Sequence, residues 1–334
     1  MTVLAWHRAV FEQLITAKGV LPHALLLRGP RGVGKLDFAR ALAQALLCEA
    51  PQSNGSACGA CTACAWFAAG GHPDYRQVEP GSDAEEGAEE TGKKVPTVIS
   101  VHQIRALAAL VNVSSHRGGP KIVVVHPAEA LNVNAANALL KSLEEPPPGT
   151  HFLLVTHRSH QLLPTIKSRC RQVPLRKPTS AEAVEWLRAQ DVREPELVLA
   201  DTGGTPLLAL ELAQGEYSGA RTAFLRALSA RDLDVFMAAD AVLNFPVPYV
   251  IGWLQKWSYD MALYRALGHV RYNPDHVEAI AAAARRAQPL AILRFHREMV
   301  KLQPVAQHPL NPRLFVEHLL LSYRDVVEPQ ALAA

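Results

Sequence analysis

Residues 25–47 read LLLRGPRGVGKLDFARALAQALL, an apolar run, a glycine-rich turn and then a stretch of alanine and leucine at helical spacing. A strand, a tight turn and a helix in that order build a phosphate-binding loop, whose backbone amides and helix N-terminus hold phosphate oxygens. The pattern is G-x-x-x-x-G-K followed by serine or threonine. Gly29, Gly34 and Lys35 fit it, with Gly32 inside the turn, but the last position is Leu36. Leucine has no oxygen to offer the magnesium ion that such a hydroxyl normally helps to hold.

Further strand-like runs lie at Ala24–Leu27, Lys121–Val125 and Phe152–Thr156, with a weaker one at Tyr75–Val78. Helical patterns separate them, which predicts a parallel sheet with crossover helices. Ser100 with Gln103 three residues on is a capping box that opens one such helix. Another, NAANALLKSLEE, must stop at Pro146, Pro147 and Pro148. Residues 79–94, EPGSDAEEGAEETGKK, are small and acidic without an apolar period, and are expected to be a solvated loop. After Leu175 the strand-like runs end. Short helices fit 180–214, and from Tyr217 onward the pattern is helical, with tryptophan, tyrosine and leucine at core spacing in WLQKWSYDMALYRAL. The expected fold class is therefore α/β plus all-α. Its parts are a nucleotide-binding-like domain over 1–175, a small helical domain over 176–214 and a C-terminal helical domain over 215–334.

The 334 residues are 49% hydrophobic and 19% charged, an ordinary globular composition, and a net charge of +3 is too small to mark a nucleic-acid-binding surface by itself. No basic region followed by an apolar run opens the chain, and no run reaches the roughly 18 apolar residues of a membrane helix. A cytoplasmic protein is expected.

The strand KIVVV offers a second test of the nucleotide site. A triphosphatase of this type carries a carboxylate at this strand's end for magnesium, often with a glutamate that activates water. Here the strand runs into His126 and Pro127, and Glu129 comes about a helical turn later, where a surface or capping role is expected. Two independent losses affect the same metal. Hydrolysis would lose a main source of transition-state stabilisation.

GPRGVGK, the cysteines Cys48, Cys58, Cys61 and Cys64, NAANALLKSLEEPPPGTHFLLVT and TIKSRCRQV together resemble the clamp-loader branch of the AAA+ ATPases. The resemblance is strong over residues 1 to about 210 and weaker through the C-terminal helices. It implies an AAA+ module, a helical lid and a helical collar that builds a five-subunit ring. Such a ring, with gamma/tau and delta subunits as neighbours, opens the sliding clamp and places it on primed DNA. Ser168, Arg169 and Cys170 match the family's Ser-Arg-Cys motif, whose arginine reaches into a neighbouring subunit's ATP site. A guanidinium there can pair with triphosphate and spread transition-state charge. Thr156 matches the family's first sensor, and the second, an arginine, falls at about Leu207, a third departure from the catalytic pattern.

The implied role is a noncatalytic subunit that has let its own site decay while keeping the arginine that completes another. The alternative is an active gamma/tau-like motor, against which Leu36, His126, Pro127 and Leu207 all count. Lys35 and the glycines either still bind ATP or ADP or serve only to pack the turn, and the sequence leaves both open.

Four of the five cysteines, Cys48, Cys58, Cys61 and Cys64, fall within LLCEAPQSNGSACGACTACAW. Successive x2 spacings with a fourth thiol upstream fit a closed tetrahedral zinc site, structural because no coordination position is left for water. His72 is a substitute ligand that four-coordination does not require, and Cys170 is expected to be a packed thiol. The cluster has few basic or stacking residues beside it beyond Trp66 and Phe67, which disfavours a zinc-dependent nucleic-acid reader.

Overall fold

A computed structural model of the chain describes residues 3–82, 97–111, 113, 115, 118–214, 216–308 and 311–328. Most of the acidic stretch expected to be a loop, from residue 83 on, lies outside the described residues. The chain divides into two compact units, Met1–Pro178 and Thr179–Ala334.

The first unit is a five-stranded sheet with helices on both faces. The strands are β1 (Ala24–Arg28), β2 (Tyr75–Val78), β3 (Lys121–Val125), β4 (Thr150–Thr156) and β5 (Arg171–Pro174), in the order β2-β3-β4-β1-β5. Every neighbouring pair is parallel. Its helices are α1 (Arg8–Thr16), α2 (Lys35–Leu47), α3 (Thr62–Ala68), α4 (Val101–Val111), α5 (Val133–Glu144) and α6 (Pro164–Arg169). Because strand side chains alternate in direction, Leu25, Leu27, Ile122, Val124, Leu153 and Val155 pack on one side with Phe11 of α1 and Phe38 and Leu42 of α2. Leu26, Val123, Val125, Phe152 and Leu154 pack on the other with Ile104, Leu139 and Ile166 from α4, α5 and α6. Burial on both faces is why these strands read as unbroken apolar runs.

Local signals act where expected. Ser100 and Gln103 exchange the two capping-box bonds, at 2.8 and 3.3 Å, and α5 ends at Glu144, two residues before the prolines. The fifth strand was not legible in the sequence. It is a short edge strand in which only Val173 is buried, so it lacks the apolar run that marks the others.

Among the described residues the second unit is all helical, with α7 (Ser180–Arg188), α8 (Pro195–Asp201), α9 (Pro206–Ala213), α10 (Tyr217–Ser229), α11 (Val235–Asp240), α12 (Val247–Leu267), α13 (Val277–Arg286), α14 (Pro289–Leu302) and α15 (Pro312–Val327). Helices α7 to α9 share a small core of Ala183, Leu187, Leu199 and Ala209. A larger core runs through α10 to α15, with Trp253 and Trp257 of α12 wholly buried, so these aromatics are packing residues. Their ring N–H groups donate to the hydroxyls of Tyr217 and Tyr323 at 2.7 and 2.9 Å. Asp201 on α8 accepts from Tyr217 and Lys256 and forms an ion pair with Arg221, tying α8 to α10 and α12 around one buried carboxylate. The α/β plus all-α class is the one the sequence implies, in the arrangement expected of an AAA+ module followed by helices.

Candidate functional site

In a parallel sheet, ligands bind beyond the carboxyl ends of the strands. Here the first of these ends is the glycine turn between β1 and α2. Gly34 caps α2 at φ +89°, a conformation suited to glycine, and a Cβ there would strike the Leu4 side chain. A Cβ on Gly29 would strike the carbonyl of Leu175. Gly29 is thus required by packing and Gly34 by its backbone conformation, whether or not phosphate binds. The indole of Trp6 donates to the Val33 carbonyl at 3.0 Å and closes the N-terminal segment over the turn.

Lys35, the residue that should neutralise phosphate, is buried, and its amine donates to the Pro30 carbonyl at 2.5 Å. Burial lowers its pKa to about 8, against the opposing pull of Glu129. A buried lysine whose amine is engaged by its own loop is a poor anion receptor. Leu36 packs against the apolar layer beneath α2, so the hydroxyl position has become a core position.

The ends of β3 and β4 bring together residues the sequence suggested and others it did not. His126 directs Nδ1 to Glu79 at 2.9 Å, and this contact holds the Glu79 carboxyl below the usual carboxylate range. Glu129, expected in a surface or capping role, is half-buried and takes the backbone N–H of His157 on both carboxylate oxygens, at 2.9 and 3.2 Å. Its cost of partial burial is offset by that amide, a pairing sequence spacing could not disclose. Thr156 is fully buried, and its hydroxyl accepts from the Arg158 amide at 3.2 Å. His157 was missed by sequence reasoning, although its place directly after the strand-end threonine was the available signal. Leu207 lies in the first turn of α9 in the second unit, half-buried.

Burial, reinforced by the charge of Lys35, pushes His157 down to about 4, and burial does the same to His7. In the unfolded chain both rings titrate near 6.5. The unfolded state therefore binds more protons between these values, so stability is complete above about pH 6.5 and falls as pH drops toward about 4. Denaturation midpoints in urea are expected to fall between pH 7 and pH 5, and to fall less in a His7→Gln, His157→Asn double variant. The same pH dependence in both proteins would show that these rings do not carry it.

At the other end of β4, Arg169 closes α6. Its guanidinium pairs with Glu144 at the end of α5 and donates to the Thr165 carbonyl at 3.1 Å and the Ser168 hydroxyl at 3.4 Å. The side chain remains about a third exposed. Cys170 is buried, with its thiol pushed up to about 11 by desolvation, as expected of a packed cysteine. Arg169 is thus a partly exposed cation paired with one carboxylate. Glu144 is a member of this arrangement that the sequence did not single out.

The sulfurs of Cys48, Cys58, Cys61 and Cys64 lie within 4.8 Å of one another. Cys48 and Cys61 are 3.9 Å apart, and Cys58 and Cys64 are 4.0 Å apart. A tetrahedral ion with Zn–S bonds near 2.3 Å requires sulfur separations of about 3.8 Å, so the donor set fits a closed four-thiolate site. The amides of Ala60 and Cys61 point at Cys58 Sγ, at 3.4 and 3.3 Å, and favour its thiolate. His72 stands outside the cluster, with Nδ1 accepting from the Asp74 amide at 3.1 Å.

The family described as "DNA polymerase III, delta subunit" matches residues 7–179. DNA polymerase III subunit delta' of Pseudomonas aeruginosa is 40% identical over 283 residues, covering 83% of this chain and 80% of that protein. The Escherichia coli subunit delta' is 33% identical over 334 residues, covering 97% and 96%. The Escherichia coli subunit tau is 31% identical over 298 residues, covering 86% of this chain and 42% of tau.

Proposed function

The chain belongs to the delta-prime family of DNA polymerase III subunits, and from this premise we propose that it is a noncatalytic member of the clamp loader. It would sit in a ring with gamma/tau and delta subunits in the cytoplasm and act during loading of the sliding clamp onto primed DNA. In this reading residues 1–175 are the AAA+ module, 176–214 the lid and 215–334 the collar through which the ring assembles. Arg169, with Ser168 and Cys170 beside it, serves the ATP site of a neighbouring subunit, and Cys48, Cys58, Cys61 and Cys64 hold a structural zinc.

One observation carries the noncatalytic reading: the buried amine of Lys35 donates to the loop's own Pro30 carbonyl. The same loop has Leu36 in place of the metal-binding hydroxyl, and β3 is followed by His126 and Pro127 and not by a carboxylate. Hydrolysis here would need a phosphate-binding cation and a magnesium ligand set, and the residues at both positions have been turned to packing. Glu129 does not restore the set, because both its oxygens are engaged by the His157 amide. Gly29, Gly32, Gly34 and Thr156 then act as scaffold. The gamma/tau-like motor, favoured only by the likeness to tau, would have to hydrolyse ATP with these substitutions in place.

The purified chain is therefore expected to show no magnesium-dependent ATPase activity that Lys35→Ala abolishes. Turnover of about 1 per second, an ordinary enzyme rate, lost on that substitution, would defeat the noncatalytic reading. Titration with a fluorescent ATP analogue separates weak binding from none.

A further inference from the structure

We propose that the outer edge of β2 is a docking groove for an extended acidic peptide of a partner protein. An open cavity of about 810 Å³ lies there, lined by Arg40 of α2, Phe67 of α3, the Gly70–Gly71 turn and Tyr75, Arg76 and Gln77 of β2. Successive strand residues face opposite sides of a sheet, so a cavity lined by three in a row lies along the strand's edge. β2 lies at the end of the strand order, and among the described residues it pairs only with β3 and no other strand covers this edge. Ile122 donates to the Asp74 carbonyl and His126 to the Val78 carbonyl, so the alternation of a parallel ladder directs the N–H and C=O of Gln77 outward. An exposed pair of this kind is where an added strand forms its hydrogen bonds.

The charges in the groove say what kind of strand. Arg40 is held by its Nε to the Gln77 side-chain oxygen at 2.9 Å, and that oxygen also takes the Tyr75 hydroxyl at 2.8 Å. Arg76 is held by one terminal nitrogen to the carbonyls of His72 and Tyr75, at 3.1 and 2.6 Å. Both side chains are half-buried, and among the described residues neither has a carboxylate partner. Two oriented guanidinium groups, neither in an ion pair among the described residues although the charge of Glu79 reaches Arg40, flank one backbone pair that faces outward. Partly desolvated cations favour an anionic occupant, and a guanidinium edge matches a carboxylate in two parallel bonds. Phe67 packs on Tyr75 with ring centres 4.6 Å apart and gives the groove an apolar wall for intervening side chains. Nothing in this assignment depends on the nucleotide site or on Arg169.

The test is fluorescence anisotropy on the full chain with a labelled peptide of alternating glutamate and valine. Saturable binding is expected, weakened at least about tenfold by Arg40→Gln with Arg76→Gln, and weakened likewise when the peptide's backbone is N-methylated at alternate residues. A lysine–valine peptide should not bind. The peptide arms test the proposal on unaltered protein even if the double variant is destabilised. No binding of the acidic peptide, or equal binding of its N-methylated form, overturns strand-edge docking. Displacement by a single-stranded oligothymidylate would reassign the groove to nucleic acid. A tenfold gain in affinity on replacing Asp83, Glu85, Glu86, Glu89 and Glu90 by serine would show that the chain's own acidic stretch is the occupant, and would equally overturn a partner's peptide.

Discussion

Replacing Arg169 by alanine is expected to leave the chain folded and the clamp-loader ring assembled, yet to slow clamp loading and remove part of the complex's ATPase activity. An arginine supplied across a subunit boundary contributes roughly 10³ to 10⁵ in rate in other phosphoryl-transfer systems, or about 4 to 7 kcal/mol. Within this chain the same side chain makes only a partly exposed ion pair with Glu144 and two weak hydrogen bonds. Such exposed pairs contribute about 1 kcal/mol or less to stability. The difference in scale means that a lost activity would report catalysis in a neighbour, not unfolding of this chain. Since only one site of the ring would feel the change, the loss of hydrolysis should be partial. Arg169→Lys should rescue poorly, because an ammonium lacks the planar fork. Glu144→Gln supplies the opposite arm. It removes the one carboxylate paired with Arg169 among the described residues, so it should preserve activity where Arg169→Ala does not. Reconstituted complexes that load clamps at wild-type rate with alanine at 169 would reduce Arg169 to a surface residue.

The second large effect concerns the cysteines. About one zinc per chain is expected, and Cys61→Ser should lower both metal content and the thermal stability of the first unit. Structural zinc in small peptides is bound with an apparent free energy on the order of 10 kcal/mol, comparable to the whole stability of many domains. In this chain the effect should be smaller and local, because the sheet beside the cluster has a large apolar core of its own. Elemental analysis after dialysis and titration of free thiols are the measurements. A folded chain with four reactive thiols and no bound metal would remove the site, and Cys170, buried away from the cluster, serves as the internal control.

Four of the five strands, the ends of their helices and the cysteine spacing were legible from residues near one another in the chain. Periods of 2 and 3.6, a capping pair three residues apart and a run of prolines act locally, so they survive in the one-dimensional record. β5 was not legible because an edge strand needs only one buried side chain, and the sheet rather than its own pattern recruits it.

The sequence by itself determined the parallel α/β class, the helical second half, the cluster of four thiols and the absence of a hydroxyl at Leu36. Each follows from residue type at short spacing. Only the tertiary structure decided that Lys35 is buried against Pro30, that Trp6 closes over Val33 and that Arg169 rests on Glu144. It also brought the Glu129 carboxylate to the His157 amide, 28 positions along the chain. These are contacts between groups whose approach is set by how helices pack on a sheet, and a charged or polar side chain carries no periodic signal of the partner it will meet. The glycine loop shows both at once: its motif is local, but whether its lysine faces phosphate or its own backbone depends on burial, which is a property of the folded chain.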